Sequence, residues 1–165
     1  MTYGRDRTEE EIEELAEELW TLGEEGRDRV EDLVASPRLP DPGSALRAFA
    51  ARGLARVENG RIVLTAEGRA LAESQIRRHR LAEVLFTTAL DVKAERAVDR
   101  AACAIEHVLG AAVTDSVCAF LGHPKFCPHG KPIPPGPCCR SFSEAVEPLV
   151  QPLSRLPVAA TARIV

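Results

Sequence analysis

The sequence predicts a mainly α-helical protein, with three short helices and a β-hairpin first and longer helices after them. Apolar residues recur at helical spacing through most of the first 121 residues. An Asn-Gly pair, Asn59-Gly60, stands between two short apolar runs, which is a strong signal for a tight hairpin. Six prolines follow Gly122 within 15 residues and argue against regular helix there. A chain of 165 residues, 45% of them hydrophobic, is long enough for one domain or two small ones.

The first three helices are predicted over residues 9–22, 28–35 and 44–52, and the hairpin strands over 54–58 and 61–65. Gly23 and Gly26 end the first helix, and a proline series separates the second from the third. Ser44 is expected to cap the N-terminus of the third helix, and Gly53 to follow its C-terminus. This order is typical of a winged helix-turn-helix, whose third helix enters the major groove of DNA. The alternative is a small helical core with an incidental hairpin.

Three longer helices are predicted next, over residues 66–89, 92–109 and 114–121, and beyond Gly122 the chain is expected to form a loop. The segment after Thr65, Ala-Glu-Gly, is a good helix start without a full capping box.

Composition and charge exclude several function classes. No apolar run is long enough to span a bilayer and the N-terminus lacks an export signal, so a cytoplasmic location is expected. Aromatic residues make up 4% of the chain, too few for the stacking platforms that bind single-stranded nucleic acids. The net charge of −4 conceals a division: residues 1–32 hold thirteen acidic residues against four Arg, whereas residues 33–80 hold nine Arg against four acidic residues. The second stretch is therefore suited to face phosphates.

Two predicted helices carry metal-ligating side chains at helical spacing. His79 and Glu83 lie four residues apart, and Cys103, Glu106 and His107 occupy positions i, i+3 and i+4 of the next helix. Such mixed donors between two helices suit a divalent transition metal. Taken singly, each residue is more readily explained by an ordinary surface or core role, but the joint Cys-x-x-Glu-His set is not. Further carboxylates in the first helix come from Glu14 and Glu17.

The sequence resembles the diphtheria-toxin-repressor-type family of iron- and manganese-dependent transcriptional repressors (DtxR/MntR-like). The resemblance rests on Arg-His-Arg-Leu-Ala-Glu at 78–83, on Ala-Cys-Ala-Ile-Glu-His at 102–107, and on segment 120–134, which contains Cys-Pro-His-Gly-Lys-Pro. It implies an N-terminal winged helix-turn-helix at 1–65 and an all-helical metal-binding dimerisation domain at 66–139. Residues 140–165 then resemble a linker and the opening of an incomplete SH3-like (FeoA-like) segment. A homodimer on a palindromic DNA operator, controlled by Fe²⁺ or Mn²⁺, is the expected functional form.

The resemblance also implies roles for single residues. His79 and Glu83 match ligands of the family's ancillary metal site, and Asp99 stands where iron regulators carry a further His ligand. The family's other site is matched by Cys103, Glu106 and His107, with Glu14, or Glu17 one turn later, in place of the first-helix ligand. Carboxylates at positions 14 and 99 favour Mn²⁺ or Fe²⁺, whereas the Cys103 thiolate favours softer ions. The ligand set therefore does not identify the metal.

The predicted recognition helix departs from the family pattern because it holds few side chains that read bases. Ser44, Arg47 and Arg38 are candidates to donate to phosphates or guanine, and Arg52 and Arg61 supply positive charge for the DNA backbone.

Four cysteines lie within 22 residues: Cys118, Cys127, Cys138 and Cys139. With His123 and His129 close by, they could hold zinc or an iron–sulfur cluster, or act as a redox pair. Free thiols are the alternative.

A metal-dependent DNA-binding regulator is therefore the leading interpretation of the sequence. The alternative is a metal or iron–sulfur sensor with weak or lost sequence-specific DNA binding, which signals through a partner or a C-terminal domain. An enzyme is not predicted, because no nucleophile–base pair or phosphate-binding loop accompanies the ligands.

Overall fold

The computed structural model describes residues 7–140, with side chains from Glu9 onward. The chain divides into two compact units, with the boundary between Arg78 and His79. Helices and strands follow in the order α1 (Arg7–Glu24), α2 (Val30–Val34), α3 (Pro42–Ala51), β1 (Ala55–Glu58), β2 (Arg61–Leu64), α4 (Ala66–Val84), α5 (Glu95–Glu106), α6 (Ala111–Phe120) and α7 (Pro137–Arg140). The mainly helical fold with a small hairpin after the first helices is thus confirmed. The prediction for residues 141–165 lies outside the described residues, and the three-part domain division stays a prediction.

The first unit has its own apolar core between α1, α2, α3 and the hairpin. Leu15, Leu33 and Phe49 from the three helices are completely buried in it, as the helical spacing of the apolar residues predicts. Their burial, and not helix propensity alone, stabilises helices as short as the five-residue α2.

The hairpin has the predicted turn. Asn59 and Gly60 both have positive φ, 51° and 76°, and the strands pair antiparallel with Arg56 opposite Val63. A further bridge joins Arg29 to Arg61, so the segment before α2 pairs with the second strand. The hairpin is therefore attached to the helical core along its second strand.

The start of α3 corrects one prediction. Asp41, not Ser44, is the N-cap: its carboxylate accepts a hydrogen bond from the backbone N–H of Ser44 at 2.9 Å. Pro42 occupies the first helical position, where its missing N–H costs nothing, so the helix begins before Ser44. Gly53 follows the C-cap with φ 74°, as expected.

Gly68 marks a close approach of α4 to the backbone before the hairpin. Thr65 Oγ1 accepts a hydrogen bond from Gly68 N–H and donates towards the carbonyl oxygens of Gly53 and Leu54. A Cβ atom at Gly68 would lie 1.8 Å from the Leu54 carbonyl oxygen. Only glycine fits this position without a backbone shift.

The Gly68→Ala variant is therefore expected to lower the free energy of unfolding by about 2 kcal/mol, because overpacking against backbone outweighs the gain in helix propensity. Gly23→Ala is the matched control, because its added methyl group would meet nothing within 4 Å beyond its chain neighbours and the backbone of its own helix. That control should leave stability unchanged or raise it by up to about 1 kcal/mol. Urea unfolding of both variants measures the difference, and equal stabilities would contradict the account.

The second unit, from His79 onward, packs the end of α4 against α6 and the proline-rich segment. Its core contains Leu81, Val84, Cys118, Leu121 and Ile133. The α4 helix ends earlier than predicted: residues Leu85–Ala89 form a π-helical turn, and Thr87 donates its hydroxyl hydrogen to the carbonyl oxygen of Glu83 at 2.7 Å.

The proline-rich segment also differs from the prediction of a loop without helix. Residues Pro137–Arg140 form one short helical turn, which Pro137 can begin because its ring presets φ. Between residues 125 and 133 the chain makes a tight hairpin-like loop, in which Phe126 bridges to Pro132 and Gly130 has φ 74°. Among the described residues, no helix is long and apolar enough to cross a membrane.

Candidate metal centre

His79 is the centre of a buried polar cluster in the second unit. Its Nδ1 atom lies 2.7 Å from Glu106 Oε2, and its Nε2 atom lies 3.5 Å from Glu83 Oε1. The relative exposures of His79, Glu83 and Glu106 are 7%, 3% and 1%. A buried histidine that holds a carboxylate on one ring nitrogen is typical of a metal ligand, because the hydrogen bond fixes the ring for coordination through the other nitrogen.

Glu83 also lies beside two side chains of the tight loop between residues 125 and 133. Its Oε1 atom lies 3.0 Å from His129 Nδ1, and Glu83, Cys127 and His129 each offer a donor atom within 4.8 Å of the other two. The loop is held by backbone hydrogen bonds from Cys127 to Lys131 and from Gly130 to Cys127, both 2.9 Å. The outer nitrogen of His129 lies 3.4 Å from the exposed Glu95.

The protonation states suit a cation. Burial by itself would raise the pKa of Glu83, but the hydrogen bond and charge of His79, with smaller contributions from Cys127 and His129, bring that pKa below its ordinary value. Glu83 is therefore a carboxylate at neutral pH. Burial and the negative charge of Glu83 raise the pKa of the Cys127 thiol, so a metal ion that binds there must displace its proton.

Asp99 on α5 completes a second group around the same residues. His79, Glu83 and Asp99 each place a donor atom within 4.8 Å of the other two, although Asp99 is exposed. The sequence predicted His79 and Glu83 for one site and Asp99 as a further ligand without assigning it to that site, and these roles stay predictions.

The other predicted ligands on α5 and at its C-cap have different neighbours, and their role as metal ligands stays a prediction. Cys103 and His107 place a donor atom within 4.8 Å of each other, whereas Glu106 faces His79. The second oxygen of Glu106 lies 3.6 Å from His107 Nε2. Glu106 thus lies between His79 and His107 and contacts both.

Glu14 and Glu17 belong to the first unit. Glu14 is partly buried, and Glu17 is 5% exposed and lies 2.9 Å from the Arg38 guanidinium. Their assignment as metal ligands stays a prediction.

Of the residues predicted to bind DNA, three are in ion pairs within the first unit. Arg38 contacts Glu17 and Glu18, Arg52 lies 2.7 Å from Glu9, and Arg61 lies 2.5 Å from Asp28. Ser44 and Arg47 are exposed on α3, and Arg47 makes no ion pair with any residue in the described segment 7–140. Arg47 is the best-placed cation on the predicted recognition helix.

The cysteine-rich region divides into two groups. Cys118, Cys138 and Cys139 cluster with His123, whereas Cys127 joins Glu83 and His129. Only three thiols therefore converge among the described residues, which does not support the predicted four-thiolate iron–sulfur cluster. Sequence reasoning placed both histidines near the cysteines but did not separate them, because nothing in the spacing indicates which way each side chain turns.

Comparison with known proteins agrees with this architecture. Residues 65–135 match the family model described as iron dependent repressor, metal binding and dimerisation domain. The chain belongs to the family of iron- and manganese-dependent transcriptional repressors of the diphtheria-toxin-repressor type. The family consists of repressors and not of enzymes.

Individual relatives support the same assignment. The chain is 36% identical over 121 residues to the diphtheria toxin repressor of Corynebacterium jeikeium, a match covering 70% of this chain and 50% of that protein. The iron-dependent repressor IdeR of Mycobacterium tuberculosis is also 36% identical over 121 residues, covering 70% and 52%. A structure of a manganese-dependent transcriptional repressor in complex with manganese is similar with a TM-score of 0.64 and 28% identity, covering 76% of this chain and 59% of that one. The chain thus spans about half the length of the curated relatives it matches.

Proposed function

We propose that this protein is a homodimeric repressor whose binding to a palindromic DNA operator is controlled by Mn²⁺ or Fe²⁺ held in its second unit. The observation that carries the proposal is the buried His79 between the carboxylates of Glu83 and Glu106. Burial of two carboxylates around an imidazole is costly unless a cation or hydrogen bonds compensate it. A regulatory ion explains why such a cluster occupies this position.

The distances distinguish ligands from supporting residues. At metal–ligand distances of about 2.1 Å, neighbouring donors on one ion lie about 3.0–3.4 Å apart. Glu83 Oε1 is 3.0 Å from His129 Nδ1 and 3.5 Å from His79 Nε2, which fits shared coordination. The 2.7 Å contact between His79 Nδ1 and Glu106 Oε2 is a hydrogen bond instead. Glu106 therefore orients His79 while Glu83, His79 and their neighbours would hold the ion.

Glu83 belongs to two ligand groups, and their donor atoms suit different ions. Asp99 adds a hard carboxylate, which favours Mn²⁺ and Fe²⁺, whereas Cys127 and His129 add softer donors, which favour Fe²⁺ and zinc. The family resemblance and the repressors named above support Fe²⁺ or Mn²⁺ as the regulating ion.

DNA binding is proposed for the winged helix of the first unit. The exposed Arg47 and Ser44 of α3 would face the major groove, and the hairpin around Asn59-Gly60 would contact the backbone beside it. Arg38, Arg52 and Arg61 would reach phosphates only by leaving their ion pairs, which are weak where exposed.

The test is selection of bound duplexes from a random double-stranded DNA pool, with 0.1 mM Mn²⁺ or Fe²⁺ without oxygen, and with EDTA. An enriched palindrome, bound by two chains only with the ion, is the expected result. Arg47→Ala should weaken the selected duplex and lower the slope of log affinity against log salt by about one, whereas the exposed Arg96→Ala control on α5 should not. Failure to enrich any sequence would overturn the proposal and favour a metal sensor that acts through a partner.

A further inference from the structure

The second unit contains a cluster of three thiols and one imidazole that the regulatory site does not use. Cys118 Sγ lies 3.5 Å from His123 Nδ1 and 3.6 Å from Cys139 Sγ, and Cys138 Sγ lies 3.8 Å from Cys139 Sγ. All four donor atoms lie within 4.8 Å of one another. All five cysteines of the chain are in the thiol form and lie within the described residues.

These separations match the edges of a zinc tetrahedron. With Zn–S bonds of about 2.3 Å and Zn–N bonds of about 2.0–2.1 Å, tetrahedral geometry gives S···S edges of about 3.8 Å and S···N edges of about 3.6 Å. In an iron–sulfur cluster the four ligands are divided among two or four iron atoms, and ligands on different irons lie further apart than the edge of one tetrahedron.

The backbone is shaped to bring these side chains together. After α6, Gly122 and His123 both adopt positive φ, 73° and 53°, which turns the chain back over the helix end. His123 N–H then donates to the carbonyl oxygen of Cys118 at 2.9 Å. A positive φ is uncommon for a residue other than glycine, and here it places the imidazole beside the buried Cys118.

Cys138 and Cys139 come from the short helix α7, where Cys139 N–H donates to the Gly136 carbonyl oxygen at 3.0 Å. Burial, opposed by hydrogen bonds that include that of His123, leaves the pKa of Cys139 lowered to about 7. Burial and the contact with Asp115 raise the pKa of Cys138 to about 12. Because zinc binds cysteine as the thiolate, the ion would displace the protons of these thiols on binding.

We propose that Cys118, His123, Cys138 and Cys139 form a structural zinc site, separate from the regulatory metal site. Four protein ligands leave no open position, as in zinc sites that support a fold rather than catalyse a reaction. His123 begins, and Cys138 and Cys139 end, the segment that carries Cys127 and His129. The zinc ion would join the two ends of this segment and so hold Cys127 and His129 towards Glu83. Only the link to Glu83 rests on the proposed regulatory function.

The test is zinc content by mass spectrometry after EDTA dialysis under reducing conditions, which removes weakly held ions. Wild type should retain about one zinc per chain. His123→Asn and Cys139→Ser should lose it, and Ser116→Ala, an exposed α6 residue outside every ligand group of the described residues, should retain it. Asparagine tolerates positive φ, so His123→Asn tests the ligand without disturbing the turn. Cobalt substitution should give the intense visible bands of a tetrahedral thiolate site in wild type and lose them in His123→Asn.

Three results would overturn the zinc site: equal zinc in wild type and both cluster variants, a Cys118–Cys139 disulfide in protein purified without oxygen, or cluster thiols that react with a thiol reagent as fast as the exposed Cys103. The regulatory proposal is tested separately. If zinc is retained as expected but DNA binding does not depend on Mn²⁺ or Fe²⁺, the structural zinc site stands and only its proposed link to Glu83 is lost.

Discussion

Replacement of His79 by alanine is expected to lower the free energy of unfolding of the metal-free protein by about 3 kcal/mol. It should also abolish the increase in that free energy which Mn²⁺ causes in the wild type. The imidazole donates to Glu106 at 2.7 Å and lies 3.5 Å from Glu83, and both carboxylates are almost completely buried. Its loss deprives Glu106 of this hydrogen bond and leaves a cavity. Urea unfolding with and without Mn²⁺ measures both effects.

His79→Gln separates the two roles of His79. A glutamine amide can still donate to Glu106 but has no imidazole nitrogen to offer an ion. The His79→Gln variant should therefore be more stable than His79→Ala without metal, but Mn²⁺ should not stabilise it further. A His79→Gln protein that binds Mn²⁺ as tightly as wild type would show that His79 is not a ligand.

Neutralising Glu83 is expected to weaken Mn²⁺ binding by about 100-fold or more. Even residues that only support a ligand change metal affinity 10- to 100-fold, and Glu83 belongs both to the group with Cys127 and His129 and to the group with His79 and Asp99. Glu83→Gln keeps the size of the side chain and removes its charge, so a loss of affinity reports the carboxylate and not the packing. Calorimetric titration of the dialysed protein with Mn²⁺ gives the affinity.

Glu95→Gln is the matched control for Glu83→Gln. Glu95 also contacts His129, at 3.4 Å, but its side chain is 81% exposed. Because exposed ion pairs contribute little, this variant should change Mn²⁺ affinity less than about three-fold. Equal losses in the two variants would mean that general negative charge, and not coordination by Glu83, attracts the ion.

Helical periodicity made much of this site predictable from the sequence. His79 and Glu83 are four residues apart on one helix, so their proximity follows from the helix itself. The apolar stripe that buries Leu15, Leu33 and Phe49 was predictable for the same reason. The Asn59-Gly60 hairpin was predictable because its turn requires positive φ at both residues.

The remaining features depend on tertiary structure. Glu106 could not be assigned to His79 rather than to the Cys103 group, because the choice depends on how α5 packs against the end of α4. Cys127 and Cys118 belong to different groups because a turn at His123 and a tight loop at Gly130 orient them separately.

The cap at Asp41 did have a sequence signal, since an acidic residue before a helix-starting proline commonly caps the helix.

The most direct test of the central claim is the reciprocity between metal and DNA. If Mn²⁺ tightens binding of the selected duplex about 100-fold, equivalent to about 3 kcal/mol of coupling, saturating duplex must tighten Mn²⁺ binding by the same factor. Mn²⁺ titrations with and without the duplex, followed by the electron paramagnetic resonance of free Mn²⁺, measure it. The account predicts equal factors in both directions and their loss in Glu83→Gln. Mn²⁺ affinity that does not change with DNA would contradict it.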